Sequence, residues 1–191
     1  MVDEQKYKLC YDHATMNKQG MKMLKIQLKK QLYWLWLSAF VIALDQLVKY
    51  EAVRSLSYHQ PIEIFPVFNL ILTFNRGSAW GFLNTAAGWQ IGMFSMIAII
   101  VSAILIFALY RLPAKSFIQA VGISLILGGA IGNLIDRFSQ AYVVDFIELH
   151  YKAWYFPVFN LADLAITLGA ACLILHALKK HSLTENVVQP S

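Results

Sequence analysis

The chain has 191 residues, 58% of them hydrophobic and 14% charged, with a net charge of +5 and a mean hydropathy of +0.53. That composition excludes an ordinary soluble domain and describes an integral membrane protein. The positive charge gathers at the ends of apolar segments and forms no basic stripe, so it reads as topology and contact with anionic lipid, and it argues against a nucleic-acid partner.

Residues 1–21 are polar, carry both signs of charge and include Met16 and Met21; they read as a disordered extension or the product of an upstream start codon. Residues 22–180 form the expected membrane domain, and 181–191 a cytoplasmic tail. A bilayer core about 30 Å thick needs roughly 20 apolar residues in a helix. Four stretches meet this, at about 32–50, 88–110, 117–136 and 157–178. The first lacks a small-residue cleavage site and is expected to stay as a span.

Lys22, Lys25, Lys29 and Lys30 precede span one, Arg111 and Lys115 bracket the turn between spans two and three, and Lys179 and Lys180 follow span four. The intervening long loops hold only Arg54, Arg76 and Lys152. An excess of Lys and Arg marks the cytoplasmic side, so both termini are expected inside and both loops outside.

In the first loop, the run Ile62–Phe74 is rich in β-branched and aromatic residues and is followed by the turn signal Asn75-Arg76-Gly77. It reads as a short curved strand or hairpin with Pro66 at an edge or bulge, or else as a loop whose aromatics rest among headgroups. The second loop, Phe138–Tyr155, mixes apolar, aromatic and charged residues and reads as an amphipathic segment lying in the interface, with Asp145 in its middle.

The polar residues of the spans converge at one depth. Asp45 and Lys49 are i and i+4 at the outer end of span one; Asn133, Asp136 and Arg137 end span three; Asn160 and Asp163 begin span four. A carboxylate at hydrocarbon depth costs about 2.5–3.5 kcal/mol, so each of these aspartates implies a function. Ion transport would require polar groups through the full depth, whereas the inner halves are apolar. Gly128, Gly129 and Gly132 read as close helix packing.

The histidines, at 13, 59, 150, 176 and 181, are scattered, and the two cysteines, Cys10 and Cys172, suit neither a disulfide nor a metal site. No Ser, Cys or Lys nucleophile sits beside a base. What remains is carboxylate chemistry, in which two carboxyls sharing a proton act as base and acid on a water. Spacing alone does not choose among the pairs that four aspartates allow. Lys49 and Arg137 lie within a turn of Asp45 and Asp136, which argues that those two are structural and leaves Asp145 and Asp163.

Five ordered motifs carry a family resemblance: Asp45-Gln46-x-x-Lys49; Asn75-x-Gly77-x-Ala79-Trp80-Gly81; Gly128-Gly129-Ala130-x-Gly132-Asn133-x-x-Asp136-Arg137; Val144-Asp145-Phe146-Ile147; and Phe159-Asn160-x-Ala162-Asp163. Together they resemble the bacterial lipoprotein signal peptidases (signal peptidase II). The resemblance implies an all-α inner-membrane aspartic endopeptidase with four transmembrane helices, an outer-face β-cradle from the first loop and an interfacial periplasmic helix from the second. It implies cleavage of diacylglyceryl-modified prolipoproteins just before the lipidated lipobox cysteine, with Asp145 and Asp163 as the catalytic dyad. Asp45, Lys49, Asn75, Gly77, Asn133, Asp136, Arg137, Asn160 and Ala162 match the surrounding support and substrate-binding set. It further implies inhibition by globomycin-type cyclic peptides, contact with membrane lipids, a monomer, and no cofactor or metal. A catalytically silent lipid-binding factor would share the cradle and is separated from the enzyme only by an assay of cleavage.

Overall fold

The computed structural model describes residues 31–77, 88–113 and 115–188, with side chains as far as Lys179. The elements in chain order are α1 (Leu35–Ser55), β1 (Ile62–Phe65), β2 (Phe68–Asn75), α2 (Trp89–Arg111), α3 (Phe117–Gln140), β3 (Val143–Tyr151), β4 (Trp154–Tyr155) and α4 (Leu161–Val188). The extension at 1–21, the lysines before span one and the motif residues Ala79, Trp80 and Gly81 lie outside the described residues.

Among the described residues three helices are long and apolar enough to cross a membrane: α2, α3 and Leu161–Lys179 of α4. Helix α1 has 21 residues but carries Asp45, Lys49, Glu51 and Arg54. Its two central charges, Asp45 and Lys49, are buried against the other helices.

Helix α3 is the centre of the bundle and packs against α1, α2 and α4. It crosses α4 where two glycines face each other; a Cβ on Gly122 would lie 2.9 Å from the Gly169 carbonyl oxygen. Small residues at such crossings let backbones approach when lipid supplies no hydrophobic drive between helices. Helix α2 shows the resulting inversion. Its buried positions include Gln90, Ser95 and Ser102, while Met96 and Ile104 are 61% and 60% exposed to what would be lipid.

At one end of the bundle, Leu109, Ala120 and Ile123 pack together, Trp34 meets the Phe117 ring edge-on, and the Gln31 side chain donates to the Pro113 carbonyl. At the other end a four-stranded antiparallel sheet, ordered β1-β2-β3-β4, sits over α1 through Ala52, Leu72, Val144 and Phe146. The hairpin expected in the first loop is present as β1 and β2. Pro66 occupies its two-residue turn, next to a register shift between Glu63 and Phe65, and so is not within a strand.

The second loop is a correction. Where an interfacial helix was expected, Val143–Tyr151 is a strand paired with β2 from Asn75↔Val143 to Phe68↔Leu149. Val143, Val144, Asp145 and Phe146 are all buried, which the one-faced pattern of an interfacial helix would not permit. The strand turns back through Lys152, at φ 55°, into β4. The fold is therefore helical in the bundle with a sheet built from both loops.

Candidate active site

The site begins with a buried cation. Lys49 Nζ lies 2.8 Å from Asp45 Oδ2 and 2.9 Å from Asp136 Oδ2, and donates to Asn133 Oδ1 at 2.9 Å. An ammonium has three donors, and all three are used. Lys49, Asp45 and Asp136 are at most 3% exposed.

Each carboxylate spends its remaining capacity on another element. Asp45 Oδ1 accepts the Ala162 backbone N–H at 2.9 Å, at the start of α4. Asp136 accepts the Val144 N–H at 3.1 Å, from β3, and the Gln46 side chain at 2.8 Å. One cluster thus ties α1 and α3 to the two segments that carry Asp145 and Asp163.

Helix α4 starts with a reciprocal cap. Asn160 Oδ1 accepts the Asp163 N–H at 2.9 Å, and Asp163 Oδ2 accepts the Asn160 N–H at 3.3 Å. This is the geometry of a capping box, with a carboxylate in the first turn where the helix dipole favours negative charge. The same Asn160 donates through Nδ2 to Asp145 Oδ1 at 2.7 Å and to Asn133 Oδ1 at 3.1 Å. Asn133 Nδ2 in turn donates to Asp163 Oδ1 at 2.8 Å. On the far side of Asp145, Asn75 Nδ2 donates to Oδ2 at 3.0 Å and is itself oriented by the Gly77 N–H on its Oδ1 at 2.9 Å.

Asp145 and Asp163, from β3 and α4, are therefore bridged by Asn160, with Asn133 joining Asp163 to the same asparagine, and they face one cavity of about 650 Å³, lined also by Asn75, Gly77, Asn133 and Arg137. Asp145 is 2% exposed. Burial first, and then the neighbouring Asp163 charge, push its carboxyl up to about 7 against the stabilising amides of Asn75 and Asn160. A pair so placed can hold one proton near neutrality.

Of the residues expected at the site, Asp45, Lys49, Asn133, Asp136, Asn160 and Ala162 form the hydrogen-bonded frame, Ala162 through its backbone. Asn75 donates to Asp145, and Gly77 orients Asn75. The cation beside Asp136 is Lys49 and not Arg137, because adjacent positions on a helix diverge by about 100°. Arg137 instead faces the cavity, with Nη1 3.3 Å from the Asn133 carbonyl oxygen and its guanidinium 5.5 Å from the Phe94 ring centroid.

Two participants were not anticipated. Gln46, one residue after Asp45, spans Asp136 and the Gly132 carbonyl with its amide. Phe94 lies in a segment without an ionisable neighbour, so nothing in the sequence pointed to it. Among the described residues no group of three His, Cys, Asp or Glu side chains could hold a metal ion.

Two glycines of α3 make the approach possible. A Cβ on Gly132 would lie 2.7 Å from Asp45 Oδ2, and one on Gly129 would collide with the Ala162 carbonyl oxygen. Gly129→Ala is expected to displace the start of α4, and with it Asp163. The overpacking should lower stability by about 1–3 kcal/mol, with a larger proportional loss of activity. Thermal unfolding in detergent beside a cleavage assay measures both.

The family model for signal peptidase (SPase) II matches residues 37–179. A lipoprotein signal peptidase of Coxiella burnetii is 48% identical over 150 residues, covering 78% of this chain and 92% of the relative. One of Pseudoalteromonas translucida is 44% identical over 164 residues, covering 86% and 99%. A bacterial membrane enzyme solved by the in meso method at 2.3 Å resolution superposes with a TM-score of 0.70 at 32% identity, over 78% of this chain and 90% of that one. With a family match over most of its length, relatives near half identical and a fold to match, the chain belongs to the signal peptidase II family of membrane peptidases.

Proposed function

We propose that this protein is an aspartic endopeptidase of the bacterial inner membrane that removes signal peptides from diacylglyceryl-modified prolipoproteins, cutting just before the lipidated cysteine. The observation that carries this reading is the pair Asp145 and Asp163. Two carboxyls from different elements face one cavity, and burial and mutual repulsion raise one of them to about 7. The similarity to lipoprotein signal peptidases supports the substrate class.

In this reading Asp163 is the base and Asp145 carries the shared proton. Asp163 takes a proton from water as the water oxygen adds to the scissile carbonyl carbon, while Asp145 donates to the carbonyl oxygen. As the tetrahedral intermediate collapses, the C–N bond breaks, the proton on Asp163 passes to the leaving amine of the lipidated cysteine, and Asp145 takes back the proton it lent to the carbonyl oxygen as the new carboxyl forms. Arg137, facing the same cavity, clamps substrate carbonyl oxygens.

The membrane placement belongs to the same proposal. Helix α1 counts as the fourth span, at about 32 Å for 21 residues. The termini are cytoplasmic, beside Arg111 and Lys115, and the sheet and dyad lie at the outer face. Residues 22–180 are then the peptidase domain. A diacylated cysteine keeps its acyl chains in the outer leaflet, so its peptide bond is presented at the depth of the cavity. The apolar cavity wall of Phe94, Ile97 and Val101 suits a lipid-borne substrate and a globomycin-type cyclic peptide alike.

The test is direct. Purified protein in detergent should cleave a diacylglyceryl-modified prolipoprotein and leave its unmodified form intact, with mass spectrometry finding the lipidated cysteine at the new N-terminus. Cleavage elsewhere, or of both forms equally, would overturn the assignment.

A pH dependence follows from Asp145. Its folded-state value lies above the ordinary value of 3.8, so its contribution to stability is full below that value and is lost as pH rises through about 7. We expect kcat/KM to fall above about pH 7 as the pair loses its shared proton, and the melting temperature to decline below that, as pH rises from 3.8 towards about 7, and then to level off. The Asp145→Asn variant should lack that decline in thermal stability; an unchanged profile would remove the raised carboxyl from the account.

A further inference from the structure

Arg137 presents a puzzle of restraint. It lines the same cavity as Asp145 and Asp163, and the charges facing its guanidinium are Asp163 from α4, Asp145 from β3 and Asp136 on its own helix. Yet among the described residues it forms no ion pair. Asp136 is taken by Lys49 from α1, which sits behind Asn133. The guanidinium rests instead on the Asn133 carbonyl oxygen and over the face of Phe94 of α2.

An arginine is a long, flexible fork that matches a carboxylate in two parallel hydrogen bonds. Left free in this cavity it would close on one of the two acids, and a cation there favours their ionised forms. A pair that must keep a proton would then lose it. The ring quadrupole supplies a competing site within the distance at which a cation and an aromatic face attract.

We propose that Phe94 is a positioning residue that parks the Arg137 guanidinium beside the carboxylate pair, keeping this cation for the substrate's carbonyl oxygens and leaving the pair its proton. The proposal rests on the reading of Asp145 and Asp163 as the dyad. It gives the lipid-facing helix α2, which contributes no ionisable group near the site, a part in the reaction.

The experiment is a substitution series at position 94, assayed on the lipidated substrate across pH. Phe94→Leu keeps an apolar side chain and removes the quadrupole. It should lower kcat/KM at pH 7 by roughly 2- to 30-fold and move the alkaline limb to lower pH. Phe94→Tyr and Phe94→Trp should preserve both. Stepwise fluorination of the Phe94 ring, which weakens the quadrupole at nearly constant shape, should produce a graded loss, and this arm decides the matter if Phe94→Leu is poorly folded. In an Arg137→Gln background the dependence on position 94 should vanish.

A flat fluorination series with an unmoved alkaline limb overturns the proposal. The parent reading fails in a different way, by retained cleavage in Asp145→Asn or Asp163→Asn with Phe94 intact. The two failures are therefore distinguishable.

Discussion

Replacing either Asp145 or Asp163 by Asn should reduce cleavage of a lipidated substrate by about 10²- to 10⁴-fold, the usual contribution of positioned acid–base groups. That corresponds to about 3–5 kcal/mol of barrier. The structural cost should be smaller. Both Asp145 oxygens accept from side-chain amides and both Asp163 oxygens accept from N–H groups, so an Asn at either position turns one donor toward another donor. One lost hydrogen bond is worth about 0.5–1.5 kcal/mol. Relief of repulsion between the two carboxyls acts in the opposite direction. Activity should therefore collapse in variants that still melt within a few degrees of the parent, and normal turnover by a well-folded variant would sink the dyad assignment.

The largest stability effect is expected at Lys49. Lys49→Met removes the one cation that, among the described residues, contacts Asp45 and Asp136, leaving two nearly inaccessible carboxylates without charge compensation. Breaking a buried pair by removing one partner costs about 3–5 kcal/mol, a large share of the 5–15 kcal/mol that holds a typical domain together. The same argument predicts a rescue. Adding Asp45→Asn and Asp136→Asn to Lys49→Met removes the orphaned charges and should recover part of the loss. Thermal unfolding of the three proteins in one detergent checks this; a Lys49→Met variant within about 1 kcal/mol of the parent would show that the cluster is not the fold's electrostatic centre.

What could be read from the sequence, and what could not, divides by the range of the interaction that decides it. Asp45 with Lys49 was legible because i and i+4 share a helix face. The capping pair Asn160 and Asp163 is likewise local, and the convergence of polar residues at one depth followed from span boundaries. The partner of Asp136 was not legible. Its neighbour in sequence is Arg137, while its partner in space comes from a different helix. The strand Val143–Tyr151 was missed for the same reason. Its residues suit an interfacial helix about as well as a strand, and the choice is made by the waiting edge of β2, remote in the chain. Phe94 left no signal, because an aromatic in an apolar helix is ordinary until an arginine is found over its face.

The cap at the start of α4 has a consequence for biogenesis. Asn160 and Asp163 cap and begin the last element among the described residues, yet they supply one carboxyl of the pair, the amide bridge to the other, and the neighbours of the N–H that Asp45 receives. A nascent chain with three helices inserted would already hold Lys49, Asp136 and Asp145, but would have no completed site. On the proposed dyad, proteolytic competence should therefore appear only when α4 enters the bilayer and its first turn closes, so that a chain lacking that turn has no completed site.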